Sequence, residues 1–441
     1  MKKITLSLLL AAGLAAGAAR GADLVSVYRD AEAYDAQFAA AKASVKAGRE
    51  KLPQGRAGLL PTVGLSANTT WNDLEVHRRI TPPTDTPFRY NTSGWTLTLT
   101  QPLFRWQNWE SYNQSQLQVS LAETQFAAAR QDLMVRVAQA YFDVLQAREA
   151  VATAAAQKSA IAEQLEAAKR NFGVGTATIT DTHEAQSRYD LATAAEIAAQ
   201  NELLVKRQAL RMVTGKDETE LANLRPGAAI PAPEPADVDK WAESAEAASL
   251  MVQGAQTAYE IAKREIGKQR AGHYPTLDLV AANGLSSATG STLIGVGSDT
   301  KAAIIGLQLA IPIFLGGSTD SREREAVALS EKAHADLENA RRTAALQALQ
   351  AYLGVASGLS QVKAYEAALV SSSSALDSNK LGYEVGLRIN IDVLNAQSQL
   401  YDTRQKLVKA RLDTLVAQLK LKAAAGNLSE GDLAAIRTLL E

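Results

Sequence analysis

Asp181 and Asp392 stand 211 residues apart, and each follows a glycine, Gly175 or Gly386, at the same separation. A carboxylate just past a glycine turn sits in the first turn of a helix. There it accepts from free backbone N–H groups and complements the helix dipole. Gly173-Val174-Gly175 lacks the preceding strand and the further glycine spacing of a dinucleotide loop. It reads as a turn that ends a helix, and Gly386 reads the same way. The four histidines, His77, His183, His273 and His334, are scattered and have no histidine at i+4. They offer no metal pair and no base beside a nucleophile. Cysteine is absent, which excludes disulfides, thiolate chemistry and a lipid-bearing N-terminal cysteine. No phosphate-binding or hydrolytic motif is present. These residues describe a non-enzyme that needs no cofactor and no metal.

The elements that hold the two turns are themselves repeated. FGVGTATITDTHEAQ (172–186) is echoed by YEVGLRINIDVLNAQ (383–397). GLLPTVGLSA (58–67) and GHYPTLDLVA (272–281) match at an offset of 214, and QPLF (101–104) and IPIF (311–314) at 210. One unit of roughly two hundred residues has been duplicated. Repeat 1 spans 23–225, a proline-rich linker 226–236 and repeat 2 237–426. A C-terminal segment, 427–441, follows. Residues 1–22 read as a secretory signal: Lys2 and Lys3, an apolar run, then small residues.

Of the 441 residues 46% are hydrophobic but only 5% aromatic, and the apolar set is weighted to alanine. That suits helices packed closely side by side better than a thick globular core. The 46 basic and 47 acidic residues balance, so no basic stripe invites nucleic acid. Long proline-free helices are expected over Asn108–Arg170, Asp181–Thr214, Ser321–Leu381 and Ile391–Ala425. Shorter ones are expected at about Leu24–Leu52 and Val238–Lys268. In the third long run small and apolar residues recur every four and three positions from Ala344 to Tyr383. Such a repeat winds helices around neighbours, and helices of this length demand an elongated molecule.

Four stretches carry a different period. Val63, Leu65, Ala67, Thr69 and Trp71 alternate with Thr62, Gly64, Ser66, Asn68 and Thr70. Trp95, Leu97 and Leu99 alternate with threonines, and Leu277, Leu279 and Ala281 with Thr276, Asp278 and Val280. Ile305, Leu307, Leu309 and Ile311 alternate with Gly306, Gln308 and Ala310. The expected strands are 61–72, 91–102, 275–285 and 301–312. Oily on one side and small or polar on the other, they fit membrane-barrel strands, with Trp71 and Trp95 near strand ends as an aromatic girdle. Pro61 and Pro275 mark the passage from helix to strand, Pro102 and Pro312 the passage from strand to helix. Four strands cannot close a membrane barrel, and an open sheet in lipid leaves backbone groups unpaired. The chain must therefore pool its strands with other copies.

With its duplication, strand-flanking prolines and paired turns FGVGTATITD and YEVGLRINIDVL, the chain from about 23 to 441 resembles the TolC family of outer-membrane channel proteins. The resemblance implies an α+β fold in which a transmembrane β-barrel, four strands per chain, continues into a long α-helical barrel of coiled-coil-like helices. It implies a homotrimer seated in outer-membrane lipid, with the helical tunnel in the periplasm and the C-terminal segment packed at its equator. The partners it implies are an inner-membrane transporter and a periplasmic adaptor, and the function is a passive, gated exit duct for protein secretion or drug efflux. Carried over by position, the polar links that close the inner end fall on Thr180, Asp181, Tyr383 and Arg388. Asp392 would form an acidic ring at the pore entrance. The family's second acidic position is Asn395 here, leaving one ring instead of two. The competing reading is a secreted coiled-coil structural or adaptor protein without a pore.

Overall fold

Why the chain separates into two units follows from its duplication. In the computed structural model, which describes residues 22–217, 220–291 and 295–441, one unit takes residues up to 40, 128–249 and 343–441. The other takes 41–127 and 250–342. Each unit draws corresponding stretches from both repeats. Apart from Ala22, the expected signal segment lies outside the described residues.

The second unit holds an antiparallel sheet in the order β1 (Thr62–Arg78), β2 (Thr84–Phe104), β3 (Thr276–Ala288), β4 (Ser298–Ala310). Its register aligns the alternation of all four strands. Val63, Leu99, Ala281 and Ile305 form one row, and Leu65, Leu97, Asn283 and Ala303 the next. Rows on the other face read Thr62, Thr100, Val280, Gly306 and Ser66, Thr96, Gly284, Ala302. The apolar face is bare within this chain: Leu65 is 71% exposed, Ile305 77% and Leu307 66%. β1 and β4 are edges. Between β2 and β3, a Cβ on Gly94 would stand 2.7 Å from the Leu285 carbonyl oxygen, so the position requires glycine.

The strands outrun their expected limits. The stretch between the first two expected strands is itself strand almost throughout, and pairing continues to Arg78↔Thr84. Trp71 consequently lies well inside β1, opposite Asn91, and Trp95 opposite Ala67. On the Trp71 side β1 turns from Val63, Leu65 and Ala67 to Asp73, Glu75 and His77, so Trp71 marks the top of the apolar band. Pro102 does not end β2. β1 stops pairing at Thr100, and the register against β3 shifts between Pro102 and Phe104, so the missing N–H falls at a bulge.

The same unit holds α3 (Lys51–Ala57), α7 (Leu250–Arg270), a 3₁₀ turn (Ala271–His273) and parts of α2 (Ala36–Arg49), α4 (Trp106–Gly173) and α8 (Ser318–Glu384). The junction is pinned by Arg105, which donates to both oxygens of buried Asp278 at 2.8 and 2.5 Å. Arg270 reaches Glu323 at 2.8 Å, and His273 stands 3.4 Å from Asp320.

The first unit contains α1 (Leu24–Tyr34), α5 (Ile179–Thr214), α6 (Val238–Ala248), α9 (Asn390–Ala424), α10 (Glu430–Arg437) and the remaining parts of α2, α4 and α8. The scarce aromatics gather here: Tyr28, Phe38, Tyr141 and Phe142 are fully buried. The Tyr141 hydroxyl donates to the Ala222 and Ala22 carbonyls at 2.8 and 3.1 Å. α10 packs on α1, and Leu440 bridges to Leu224. Both short expected helices are interrupted, the first at Asp35 and Glu50 and the second at Ser249. At Asp35 the cause is a cap: its carboxylate accepts from the Phe38 N–H at 2.7 Å and from Arg136 at 3.0 and 3.1 Å. The guanidinium holds this carboxyl below the usual carboxylate range. The heptad seam of α8 is realised: from Ala344 to Tyr383 each of its twelve positions is buried or half-buried. At Gly358 a Cβ would stand 2.4 Å from Thr414 Oγ1, so the small residue lets α8 and α9 close together. Among the described residues no helix is long and apolar enough to cross a membrane.

Candidate functional site

The two glycine turns join α4 to α5 and α8 to α9, both within the first unit. Gly175 and Gly386 have φ of +78° and +75°, a left-handed conformation that only glycine adopts without strain. Around each, the chain closes on itself: Thr176 N–H donates to Asn171 O at 2.9 Å, and Leu387 N–H to Gly382 O at 2.8 Å. Gly173 is the last residue of α4.

The two duplicated aspartates have diverged, and one substitution accounts for it. Thr178 caps α5 in a reciprocal box: Asp181 N–H donates to Thr178 Oγ1 at 3.3 Å, and Asp181 Oδ2 accepts from Thr178 N–H at 2.9 Å and from its hydroxyl at 2.8 Å. The equivalent of Thr178 in the second copy is Ile389, which has no oxygen to offer, and α9 has no side-chain cap. The Asp392 carboxylate is thereby left to Arg388, 3.6 Å away. An exposed i,i+4 pair at that distance stabilises by at most about 1 kcal/mol, so Arg388 is only lightly held within its own chain.

Tyr383 meets Asn171, whose Nδ2 donates to the tyrosine oxygen at 3.2 Å. Asn395 accepts from Arg188 at 2.9 Å. Thr180 is exposed. The residues carried over from the resemblance therefore gather at the two turns, but within one chain Asp181 serves Thr178, not Tyr383 or Arg388. Sequence reasoning missed the cross-hairpin partners Asn171 and Arg188. Neither belongs to the repeated motif, and nothing in the sequence marks a partner more than two hundred residues away.

Further up, the hairpins are joined by Tyr401, whose hydroxyl donates to Ala156 O at 3.3 Å, and by Arg404 on Glu149 at 3.0 Å. Of the histidines, His77 contacts Asp85 on the hairpin of β1 and β2, and His334 packs edge-on to Tyr259 at 5.3 Å. His183 is exposed.

This arrangement can hold two helical hairpins together by a few weak polar contacts at their turns. Comparison with known proteins gives it a context. A family model described as outer membrane efflux protein matches residues 27–216 and 241–427. The chain is 31% identical to outer membrane protein TolC of Escherichia coli K12, covering 95% of this chain and 85% of that protein. It is 32% identical to the alkaline protease secretion protein AprF of Pseudomonas aeruginosa, covering 93% and 85%. Among solved structures, the Campylobacter jejuni CmeC outer membrane channel superposes with a TM-score of 0.79 at 17% identity, covering 94% of this chain and 89% of that one. VceC of Vibrio cholerae gives 0.75 at 19%, covering 91% and 96%.

Proposed function

The chain belongs to the outer membrane efflux protein family, and on that premise we propose that it works as a homotrimeric, passive exit duct whose inner end is shut at the two helix turns. The protein is an outer-membrane channel of the kind that serves protein secretion and drug efflux. The observation that carries the trimer is the sheet: four strands, two free edges and one bare apolar face. Three copies supply about twelve strands, enough to close a barrel.

The drift of the apolar band supports closure. On β1 it runs from Val63 to Trp71, and its middle row reads Ala67, Trp95, Leu285, Lys301. On β4 the band is centred on Leu307, about six residues further along. At ~3.3 Å per residue and ~4.8 Å between strands, that drift corresponds to a tilt of about 50°. Strands of membrane barrels tilt by roughly 35–45°. The same drift places Lys301 above the oily zone.

Tyr383 and Asn171, with Arg388 and Asp392, are the closed-state links of this reading, and Thr180 and Asp181 stiffen the neighbouring turn. A hydrogen bond contributes about 1 kcal/mol net, so three copies hold the tip by about 3 kcal/mol. Tyr383→Phe is expected to raise the open-state equilibrium on the order of a hundredfold in planar bilayers. Arg388→Ser is expected to raise conductance as well. Unchanged conductance in both would remove them as links. Asp392 gives three carboxylates around the entrance and hence cation preference, while Asn395 is neutral and engaged by Arg188. Asp392→Asn should move the reversal potential under a salt gradient towards zero; no movement would exclude this ring as the selectivity element.

A duct has no drive of its own, so directional export assigns the protein an inner-membrane transporter and a periplasmic adaptor as partners. The purified protein should pass ions as a discrete trimeric pore. A water-soluble rod without conductance would instead support the non-channel reading.

A further inference from the structure

One stripe of α9 carries Asn390, Leu394, Gln397 and Tyr401, spaced four, three and four. Leu394 packs into a cluster with Ile161, Leu165 and Ala168 of α4 and Ala185, Tyr189 and Ala192 of α5. Tyr401 bonds to Ala156 of α4. The stripe therefore faces the hairpin formed by α4 and α5. Asn390 is 2% exposed and Gln397 3%. Among the described residues, neither the nitrogen nor the oxygen of the Asn390 amide has a hydrogen-bond partner, and Gln397 Oε1 has none. On α5, one turn nearer the tip than Ala185, the Thr182 hydroxyl oxygen is buried and unpartnered too.

A heptad seam normally places apolar residues at such positions, and this helix does so further up, at Leu412, Leu415 and Leu419. Near the tip it places amides instead. A buried amide without partners has lost its water and gained nothing in return. It destabilises whichever state buries it and does not affect a state in which the seam is wet.

Building on the reading of the tip as a gate, we propose that Asn390 and Gln397 poise that gate. Their unpaired amides weaken the closed seam between the two hairpins and are hydrated when the hairpins part, so that opening needs less work from the partner. Leu394 supplies the apolar grip, and the amides set how easily it yields. The device is distinct from the links at Tyr383 and Arg388, because those stabilise the shut state and these oppose it.

The test is single-channel recording of the purified trimer carrying Asn390→Leu, Gln397→Leu, or Arg388→Ser, with hydrogen exchange of the tip amides measured alongside. Either leucine variant is expected to make spontaneous openings rarer, on the order of a hundredfold or more for Asn390→Leu in three copies, and to slow exchange across 383–397. Arg388→Ser is expected to do the reverse. If Arg388→Ser opens the channel while both leucine variants match the parent or open more, the poising role is overturned and the gate stands. If Arg388→Ser and both leucine variants all leave conductance and exchange unchanged, the gate reading itself falls. A leucine variant that weakens the trimer instead of tightening the tip would show that the amides pair between protomers, which also overturns the proposal. The Gln397→Leu channel keeps the question decidable if Asn390→Leu does not assemble.

Discussion

Leu307→Arg is expected to abolish recovery of assembled protein from the outer membrane, whereas Gln308→Arg, one residue further along β4, is expected to assemble. The two positions lie on opposite faces of the same strand, Leu307 opposite Leu279 and Gln308 opposite Asp278. Leu307 is at the centre of the apolar band on β4 and is 66% exposed in the single chain. An arginine at mid-depth on the lipid side of a barrel costs about 2–4 kcal/mol, or about 6–12 for three copies. That matches the whole net stability of a typical domain, about 5–15 kcal/mol. At position 308 the guanidinium would remain in water inside the barrel. The check is the yield of detergent-resistant trimer in membrane fractions run unheated. Equal yields for the two variants would mean that the bare face of the sheet does not meet lipid, and the trimeric duct would lose its main support.

The second large effect is expected at the tip. Arg188→Cys with Asn395→Cys introduces the only thiols in a chain that has none. Joining them through a short bismaleimide should hold α5 to α9 and shut the channel. In the parent the long Arg188 side chain fills most of the gap to Asn395, meeting it at 2.9 Å. A linker tethers the two helices without requiring the narrow geometry of a direct disulfide. Each protomer carries its own tether, and a covalent link replaces contacts worth about 1 kcal/mol. The expected result is loss of the open level in bilayers and loss of export in cells. Each single-cysteine variant should conduct normally after the same treatment. Full cross-linking with normal conductance would show that opening does not separate these helices.

Both results concern positions whose local setting the sequence discloses but whose partners it does not. The alternation of β1 and β4 is local, with a period of two, so the strands and their oily sides are legible one at a time. Their ends were less so. Asn72–Tyr90 looks like a loop because it is polar and rich in proline, yet its backbone groups pair across the hairpin regardless of side-chain character. Pro102 looks like a strand end, but proline is tolerated where one neighbouring strand has stopped and the other bulges. Asp35 and Ser249 break helices that composition alone makes continuous, because a cap competes with the helix only once the chain around it is in place.

At the turns, local sequence alone shows that two helical hairpins exist and where they bend. A glycine forced to positive φ and an aspartate in the next helical turn are short-range requirements, and duplication states them twice. It also determined that four strands with one apolar face must seek further strands. Only the folded molecule shows which groups meet: Asn171 with Tyr383 and Arg188 with Asn395, while the Asn390 amide and the Gln397 Oε1 find no partner among the described residues. It also separated the duplicated aspartates into a cap and an ion-pair partner, through the difference between Thr178 and Ile389. The physical reason is one of range. Dihedral preference and hydrophobic period act over a few neighbouring residues, whereas a hydrogen bond across two hundred residues depends on how the packed helices bring their side chains together.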